Sequence, residues 1–403
     1  MTPSVFFSID LSAEAWAAIG LTMLSALYLL CFLLPRLIRV SNTSAGQSED
    51  LGEMNDDSFP PVSVIVYSQN DASGLKELIP EIFAQDYPAE IEVIVVNDEG
   101  SEATEDAVKE LRLNYPDLYL TFSPSLSRNL SRRKLAITIG MKAAHHDAVV
   151  FTCGNCRLNS SLWLRAMARH FAMGKEVVLG YGVIVGKNGE DEDNGGCRRA
   201  FDKVFTSVRW ISSALAGKPV MGMYFNLAYT RRLFFSHKGF SKSLSLFYGD
   251  DDIFINEIAD ADNCAVEISE EARVEFRDTM PAYIHKMESV RRAFTSRFIP
   301  RGGYRLFGSF SLATWIWLLS SAASCFLALP SLVGCIAVVV IAVGLWWPLM
   351  AAWRRGCGAL GVRRLLFAVP FLSLSLWHPF YAAKFKLKAL KKKNLNYTWG
   401  TLR

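Results

Sequence analysis

Val62-Ser63-Val64-Ile65-Val66 is a short apolar run that ends in the polar residues Tyr67-Ser68-Gln69-Asn70, and the same pattern returns downstream. Glu92 to Val96 leads into Asn97-Asp98-Glu99-Gly100-Ser101, Leu118 to Phe122 forms a third run, and Ala148 to Phe151 a fourth. Between them lie stretches with helical spacing: Leu75 to Ala84, Ala103 to Leu113 and Arg133 to Ala144. Strands of four to six residues alternating with helices predict an α/β domain built on an open, mostly parallel sheet. Such sheets bind ligands outside the carboxyl ends of their strands, so the residues after Val66, Val96 and Phe151 are candidate site positions.

Outward from this core the composition changes character. The 403 residues are 51% hydrophobic but only 20% charged, below the roughly 25% usual for a soluble domain. All 39 acidic residues lie at or before Glu288, whereas 11 of the 43 Lys and Arg fall after residue 308. The formal charge of +4 therefore joins an acidic globular part to a basic C-terminal region. This composition excludes disorder, collagen and a small disulfide scaffold, and the acidic globular part argues against a nucleic-acid partner. The eight cysteines show no disulfide framework and suit a reducing compartment.

Ala15 to Leu34 is a charge-free run of the length that spans a bilayer core, followed at once by Arg36 and Arg39. The positive-inside rule then places the following domain in the cytoplasm. Leu312 to Leu329 and Leu332 to Met350, separated by Pro330 and Ser331, read as a transmembrane hairpin returning to Arg354, Arg355, Arg363 and Arg364. Leu365 to Ala383 is broken by Pro370, His378 and Pro379 and precedes Lys384, Lys386, Lys388, Lys391, Lys392 and Lys393. A crossing there would carry those lysines outside, so an interfacial helix with its tail on anionic headgroups is the expectation. The expected organisation is an anchor at 1–40, a linker at 41–59, a catalytic domain at 60–308, a transmembrane hairpin at 309–352 and a basic membrane-associated region at 353–403.

Tyr248-Gly249-Asp250-Asp251-Asp252-Ile253 carries the sharpest chemical signal. Three adjacent carboxylates repel one another, and a raised pKa on one would make a general base near neutral pH. The same acids could instead cap the helix beginning at Ile253. Ser68, Asn70 and Asp98 offer donors and acceptors for a base and ribose, although ordinary turn chemistry favours the same residue types. Arg132-Arg133-Lys134 clusters positive charge at a helix start, where a diphosphate would gain charge-assisted hydrogen bonds. Glu190-Asp191-Glu192-Asp193, among Gly and Asn, reads as an exposed loop. Cys153-Gly154-Asn155-Cys156 raises a redox dithiol or half a zinc site, but no second Cys pair or spaced His pair completes the latter.

Taken in order, these pieces resemble the donor half of family 2 glycosyltransferases of the GT-A fold. Ala216-Gly217-Lys218-Pro219-Val220-Met221-Gly222, Asn226-Leu227-Ala228-Tyr229, Phe234-Phe235 and Gly249-Asp250-Asp251-Asp252 are similar to a membrane-anchored bacterial subgroup. The resemblance covers roughly residues 60 to 300. It implies a Rossmann-like GT-A domain flanked by transmembrane helices and anchored in a bacterial inner membrane. The implied reaction moves a sugar, with inversion, from a nucleotide-diphosphate sugar to a lipid-linked or glycan acceptor. Asp251 matches the catalytic base, flanked by Asp250 and Asp252. Asp98 matches the carboxylate that recognises a uracil-type base, Ser68 and Asn70 the nucleotide pocket, and Lys134 the basic residue near the donor phosphates. Gly222, Asn226, Lys286, Arg291 and Arg292 are expected on the acceptor or phosphate side.

The chain departs from that pattern in one place. Where the family carries Asp-x-Asp to hold Mg or Mn and the donor phosphates, this sequence has Cys153-Gly154-Asn155. These metals prefer oxygen ligands, and only Asn155 offers one, a neutral amide. The basic residues Arg132, Arg133 and Lys134, or Lys286, Arg291 and Arg292, are the alternative means of neutralising the leaving group. A catalytically inactive relative that binds a nucleotide-sugar or serves as a scaffold is the competing reading.

Overall fold

A computed structural model describes residues 11–51, 54–98, 100–124, 131–189, 197–244, 246, 248–299, 302–328, 332–362 and 368–390. The Glu190–Asp193 loop, the Pro330-Ser331 turn, Glu99, Arg363, Arg364 and Lys391 to Lys393 lie outside the described residues. The chain divides into two compact units, one formed by Thr43–Gly195, Ser213–Pro300 and Lys384–Arg403 and the other by Met1–Asn42, Gly196–Ser212 and Arg301–Ala383. In chain order the elements are α1 (Ala13–Asp50), β1 (Val62–Ser68), α2 (Ala72–Phe83), β2 (Ile91–Asp98), α3 (Glu102–Arg112), β3 (Leu118–Ser123) and α4 (Arg132–Ala143). There follow β4 (Ala148–Cys153), β5 (Cys156–Leu158), α5 (Trp163–Ala172), β6 (Val177–Gly180), β7 (Gly182–Gly186), α6 (Cys197–Leu215), β8 (Leu227–Thr230) and α7 (Arg231–Ser236). The last are α8 (Ile253–Ile258), β9 (Cys264–Glu267), β10 (Val274–Asp278), α9 (Pro281–Thr295), α10 (Gly302–Leu327), α11 (Leu332–Ala359) and α12 (Ala368–Ala389).

The main sheet has the order β3-β2-β1-β4-β8-β6-β9. Its first four strands are parallel, as the βα alternation predicts. β1, β2 and β4 are buried almost throughout because helices cover both faces, which is why they read as continuous apolar runs. The chain leaves β1 toward β2 and returns to β4 on the other side, so a topological switch point lies between the carboxyl ends of β1 and β4. β8 runs antiparallel between β4 and β6, and β5, β10 and β7 form a separate three-stranded sheet. These strands, of three to five residues, are too short to show a period in sequence.

The segment expected to be a linker is helical through Asp50. Its polar side chains find fixed partners that sequence spacing does not reveal. Ser44 donates to Ile268 O at 3.0 Å, Gln47 donates to Val266 O at 2.5 Å, and Ser48 donates to Glu271 at 2.6 Å. Nearby, the fully buried Glu267 accepts from Arg169 at 2.6 and 2.9 Å and lies 2.9 Å from His170 Nε2, while Arg169 also donates to Gln47 O at 2.8 Å.

In the other unit, Ala13–Asp50 and Ser309–Leu327 are long and apolar enough to cross a membrane and suggest membrane association. Thr22 donates to Ser320 at 3.0 Å, the kind of polar contact that joins helices in apolar surroundings. Trp16, Leu24, Leu27, Leu312, Leu319 and Phe326 are exposed on these helices. Arg354 and Arg355 lie on α11, not in a loop, because Trp353, Cys357 and Leu360 keep a buried face at helical spacing beyond Met350. α12 likewise runs through Lys384, Lys386 and Lys388 to Ala389 and contains Pro379.

Removing a buried anion strands its cationic partner without water. Glu267→Ala is therefore expected to destabilise the sheet-containing unit by about 3 kcal/mol or more. Thermal unfolding of the detergent-solubilised chain, compared with wild type, measures it.

Candidate active site

The carboxyl ends of β1 and β2 deliver the expected donor-side residues. Asp98 closes β2 with a fully buried carboxylate that accepts from Tyr67 Oη at 2.7 Å and from Arg132 at 3.0 Å. Ser68 is buried at the end of β1, its hydroxyl without a hydrogen-bond partner. Asn70 is exposed and adopts φ 59°, a left-handed turn conformation that asparagine tolerates better than most residues. Beneath this rim, Tyr67, Arg133, Thr152, Cys153 and Tyr224 help line a cavity of about 10 Å³, room for a single water.

The acid triplet sits at the start of α8. Gly249 precedes it at φ 106°, and a Cβ there would come within 2.6 Å of the Ile253 side chain, so only glycine makes this turn without displacing α8. All three carboxylates are buried, and each has a different partner. Asp250 pairs with Arg133, whose nitrogens lie 2.6 and 2.8 Å from its two oxygens. Asp251 forms an ion pair with Arg291, which reaches in from α9. Asp252 caps α8 by accepting from Ile253 N at 2.6 Å, and its other oxygen accepts from Thr295.

These partners separate the three acids electrostatically. Burial opposes ionisation of Asp250, but Arg133 and Arg291 outweigh it and hold the carboxyl down at about 2. Asp251 is pushed up to about 7, first by burial and then by the neighbouring Asp250 and Asp252 charges, against the pull of Arg291. Burial also raises Asp252, countered by Arg291 and the Thr295 hydrogen bond. Both guanidiniums stand against one aromatic ring, Arg133 at 3.9 Å and Arg291 at 5.2 Å from the Tyr224 centroid.

Lys134, at the start of α4, is held by the segment that leads into the triplet. Its ammonium is fully buried and donates to Ser243 O at 2.6 Å, Ser243 Oγ at 3.1 Å, Leu246 O at 3.2 Å and Tyr248 O at 2.8 Å. It thereby ties down the segment leading into the triplet, and burial pulls its pKa down to about 8. Asn226 is equally committed: Nδ2 donates to Tyr181 O and Ala272 O at 2.7 and 2.8 Å, while Oδ1 accepts from Trp163 Nε1 at 3.1 Å. Gly222 N donates to Asp251 O at 2.7 Å. On α9, Lys286 is exposed, 5.8 Å from the Tyr283 ring, and Arg292 donates to Ser289 at 3.3 Å; of the three basic candidates on that helix, Arg291 is the one paired with the triplet. Tyr67 and Tyr224 were not among the expected site residues, because an isolated tyrosine beside apolar neighbours carries no chemical spacing.

At the end of β4 the donor set does not fit a divalent cation. Cys153 and Cys156 are buried free thiols, and the Cys156 side chain, with burial, pushes Cys153 well above its ordinary pKa. Asn155 donates its side-chain Nδ2 to Arg277 O and accepts from Arg277 N with its backbone O, both at 3.0 Å, bracing the turn against β10. Gly74 of α2 packs so closely that a Cβ there would come within 2.2 Å of Gly154 O. Among the described residues no group of three or more His, Cys, Asp and Glu side chains is placed to hold a metal ion.

Residues 60–190 match the family model described as Glycosyltransferase like family 2. Among solved structures, the chain is similar to the mannosyltransferase PcManGT from Pyrobaculum calidifontis, determined with GDP-Man and Mn2+. The identity is 18%, the match covers 92% of this chain and 100% of that one, and the TM-score is 0.50. It is also similar to glucosyl-3-phosphoglycerate synthase from Mycobacterium tuberculosis, determined with Mn2+ and uridine-diphosphate-glucose. There the identity is 13%, the coverage 57% and 73%, and the TM-score 0.34, a likeness on which nothing below depends. No curated protein matches the sequence. The α/β fold thus resembles GT-A, and together with the match of residues 60–190 to the family 2 model it supports a glycosyltransferase enzyme.

Replacing Lys134 with methionine removes the donor shared by three backbone carbonyls. The expected result is a loss of about 3 kcal/mol or more, with faster limited proteolysis between residues 243 and 248 than in wild type.

Proposed function

We propose that this chain is an inverting glycosyltransferase, moving a sugar from a nucleotide-diphosphate sugar to a lipid-linked or glycan acceptor at the cytoplasmic face of a membrane, the inner membrane of a bacterium. The observation that carries the reading is Asp251. A carboxylate buried beside two guanidiniums, and raised to about 7, has the basicity to take a hydroxyl proton at neutral pH.

In this reading Asp98, Ser68 and Asn70 receive the base and ribose outside the ends of β1 and β2. The leaving diphosphate requires positive charge, which Arg133 and Arg291 carry beside the triplet. Inversion follows from a single in-line displacement, with the base on the face opposite the leaving group. Asp250 and Asp252 act on Asp251 by repulsion, keeping its proton affinity high. The two long apolar helices support attachment to a bilayer, which would hold the site near a lipid-linked acceptor.

A second reading, an inactive nucleotide-sugar binder or scaffold, is favoured by one observation. The turn after β4 lacks the donor set that the resemblance associates with metal and phosphate. Release of nucleoside diphosphate from a panel of nucleotide-sugars, with plausible acceptors present, separates the two. Turnover supports the enzyme, and silence across the panel supports the scaffold.

Asp251→Asn should lower kcat by about 10² to 10⁴ while nucleotide binding is retained, since the amide keeps the shape but accepts no proton. The charged groups acting on Asp251 are Arg291 from α9, Arg133 from α4 and the adjacent Asp250 and Asp252, while Glu288 acts on Arg291 and Lys134 on Asp250 and Asp252. Because the base works ionised and its carboxyl is raised to about 7 while paired with Arg291, kcat/KM, which reports the free enzyme, should climb about tenfold per pH unit below that value and flatten above it. A pH profile flat from 5 to 8 would remove Asp251 as the base.

A further inference from the structure

Catalysis at this site makes two demands that the pairing of its charges sets in conflict. The leaving diphosphate needs positive charge, and Asp251 must be free to accept a proton. Here Arg291 and Asp251 neutralise each other, both side chains only 4% exposed. Arg133 is engaged in the same way by Asp250. The other nearby cations are committed elsewhere: Lys134 to the carbonyls of the 243–248 segment and Arg132 to Asp98. The turn after β4 offers buried thiols and one neutral amide oxygen but no carboxylate to hold a metal's charge there instead.

Two guanidiniums against one tyrosine ring repel each other unless anions sit between or beside them. Tyr224 and the two carboxylates provide that compensation. A diphosphate is a stronger competitor than a single carboxylate, because its oxygens can accept paired hydrogen bonds from both guanidiniums at once.

Resting on the glycosyltransferase reading above, we propose that Arg133 and Arg291 form a partner-exchange latch in place of a divalent cation. The donor's diphosphate draws the two guanidiniums off Asp250 and Asp251, and that exchange unmasks Asp251 as the base. With the latch open, the acceptor oxygen forms its bond to the anomeric carbon as the bond from that carbon to the phosphate oxygen breaks. The electron pair leaves on the nucleoside diphosphate, held by the two guanidiniums, and the hydroxyl proton passes to Asp251. Without donor the base stays masked, so water is not activated. Tyr224 is a positioning residue that keeps both guanidiniums within reach of either partner.

The exchange has a signature independent of turnover. A nucleoside diphosphate reproduces the state after transfer, in which Asp251 carries the proton. Losing Arg291 as its counter-charge, Asp251 should take up a proton when the diphosphate binds. UDP, and separately GDP, titrated calorimetrically into the full-length solubilised protein at pH 8 in buffers of different ionisation heat reads that uptake. At this pH a terminal phosphate with a pKa of about 6 is already ionised and does not contribute.

The expected result is binding unchanged by EDTA, net proton uptake by wild type, and both an about tenfold tighter affinity and no uptake in Asp251→Asn, where Arg291 has lost its competitor. Arg291→Lys should bind more weakly, because an ammonium cannot give the paired bonds of a guanidinium. Wild type that takes up no proton overturns the latch, whatever the folding of the variants. So does binding that requires added Mn2+ or Mg2+, or a folded Asp251→Asn whose affinity is equal or weaker. Failure of wild type to bind either nucleotide, with or without metal, would instead sink the glycosyltransferase reading and the latch with it.

Discussion

Asp250, Asp251 and Asp252 are held out of water on consecutive residues, where their mutual repulsion is weakly screened and each charge must be answered by a specific partner. Arg133 from α4, Arg291 from α9 and Thr295 one turn further along that helix supply the answers. The triplet therefore fixes more than its own geometry. It dictates where α4 and α9 must stand relative to α8, and any rearrangement that moves one of them leaves a buried charge exposed to its neighbours.

The supporting framework follows from the same need. Lys134 lies next to Arg133 on α4, and its four hydrogen bonds secure the segment ending at Tyr248, immediately before Gly249 turns the chain into the triplet. Gly222 holds the triplet's backbone through Asp251 O, and Asn226, four residues on, ties Trp163 to Tyr181 and Ala272. Lys134, Gly222 and Asn226 thus brace the acids and the sheet beside them. The physical division is between groups whose polar atoms are saturated by the protein and groups whose charge is balanced by a partner that a ligand can replace.

The long apolar helices and the sheet obey different packing rules within one chain. In the sheet-containing unit, apolar runs are buried on both sides and buried charges meet opposite charges, as in Glu267 with Arg169 and His170. In the helical unit, large apolar side chains such as Leu24 and Phe326 stay exposed, and the internal contacts include a hydroxyl pair between Thr22 and Ser320. Exposure of that kind is unfavourable in water and neutral in lipid, which gives the composition of the two ends of the sequence a common cause.

The βα alternation from Val62 to Cys153 was legible in the amino-acid order, because buried parallel strands demand unbroken apolar runs and their covering helices demand a 3.6-residue period. The polar residues closing β1 and β2, the glycine before the triplet and the absence of two carboxylates after β4 were legible for the same reason: each is a local chemical fact. Tertiary structure alone decided which of Arg132, Arg133 and Lys134 meets Asp98, which meets Asp250 and which is spent on the 243–248 segment. It also joined Arg291 to Asp251 across 40 residues, stood both guanidiniums against Tyr224 and made Ser41–Asp50 helical. Adjacent residues on a helix point about 100° apart, so neighbours in sequence acquire different partners, and charge pairing at a distance depends on packing that no single stretch of sequence contains.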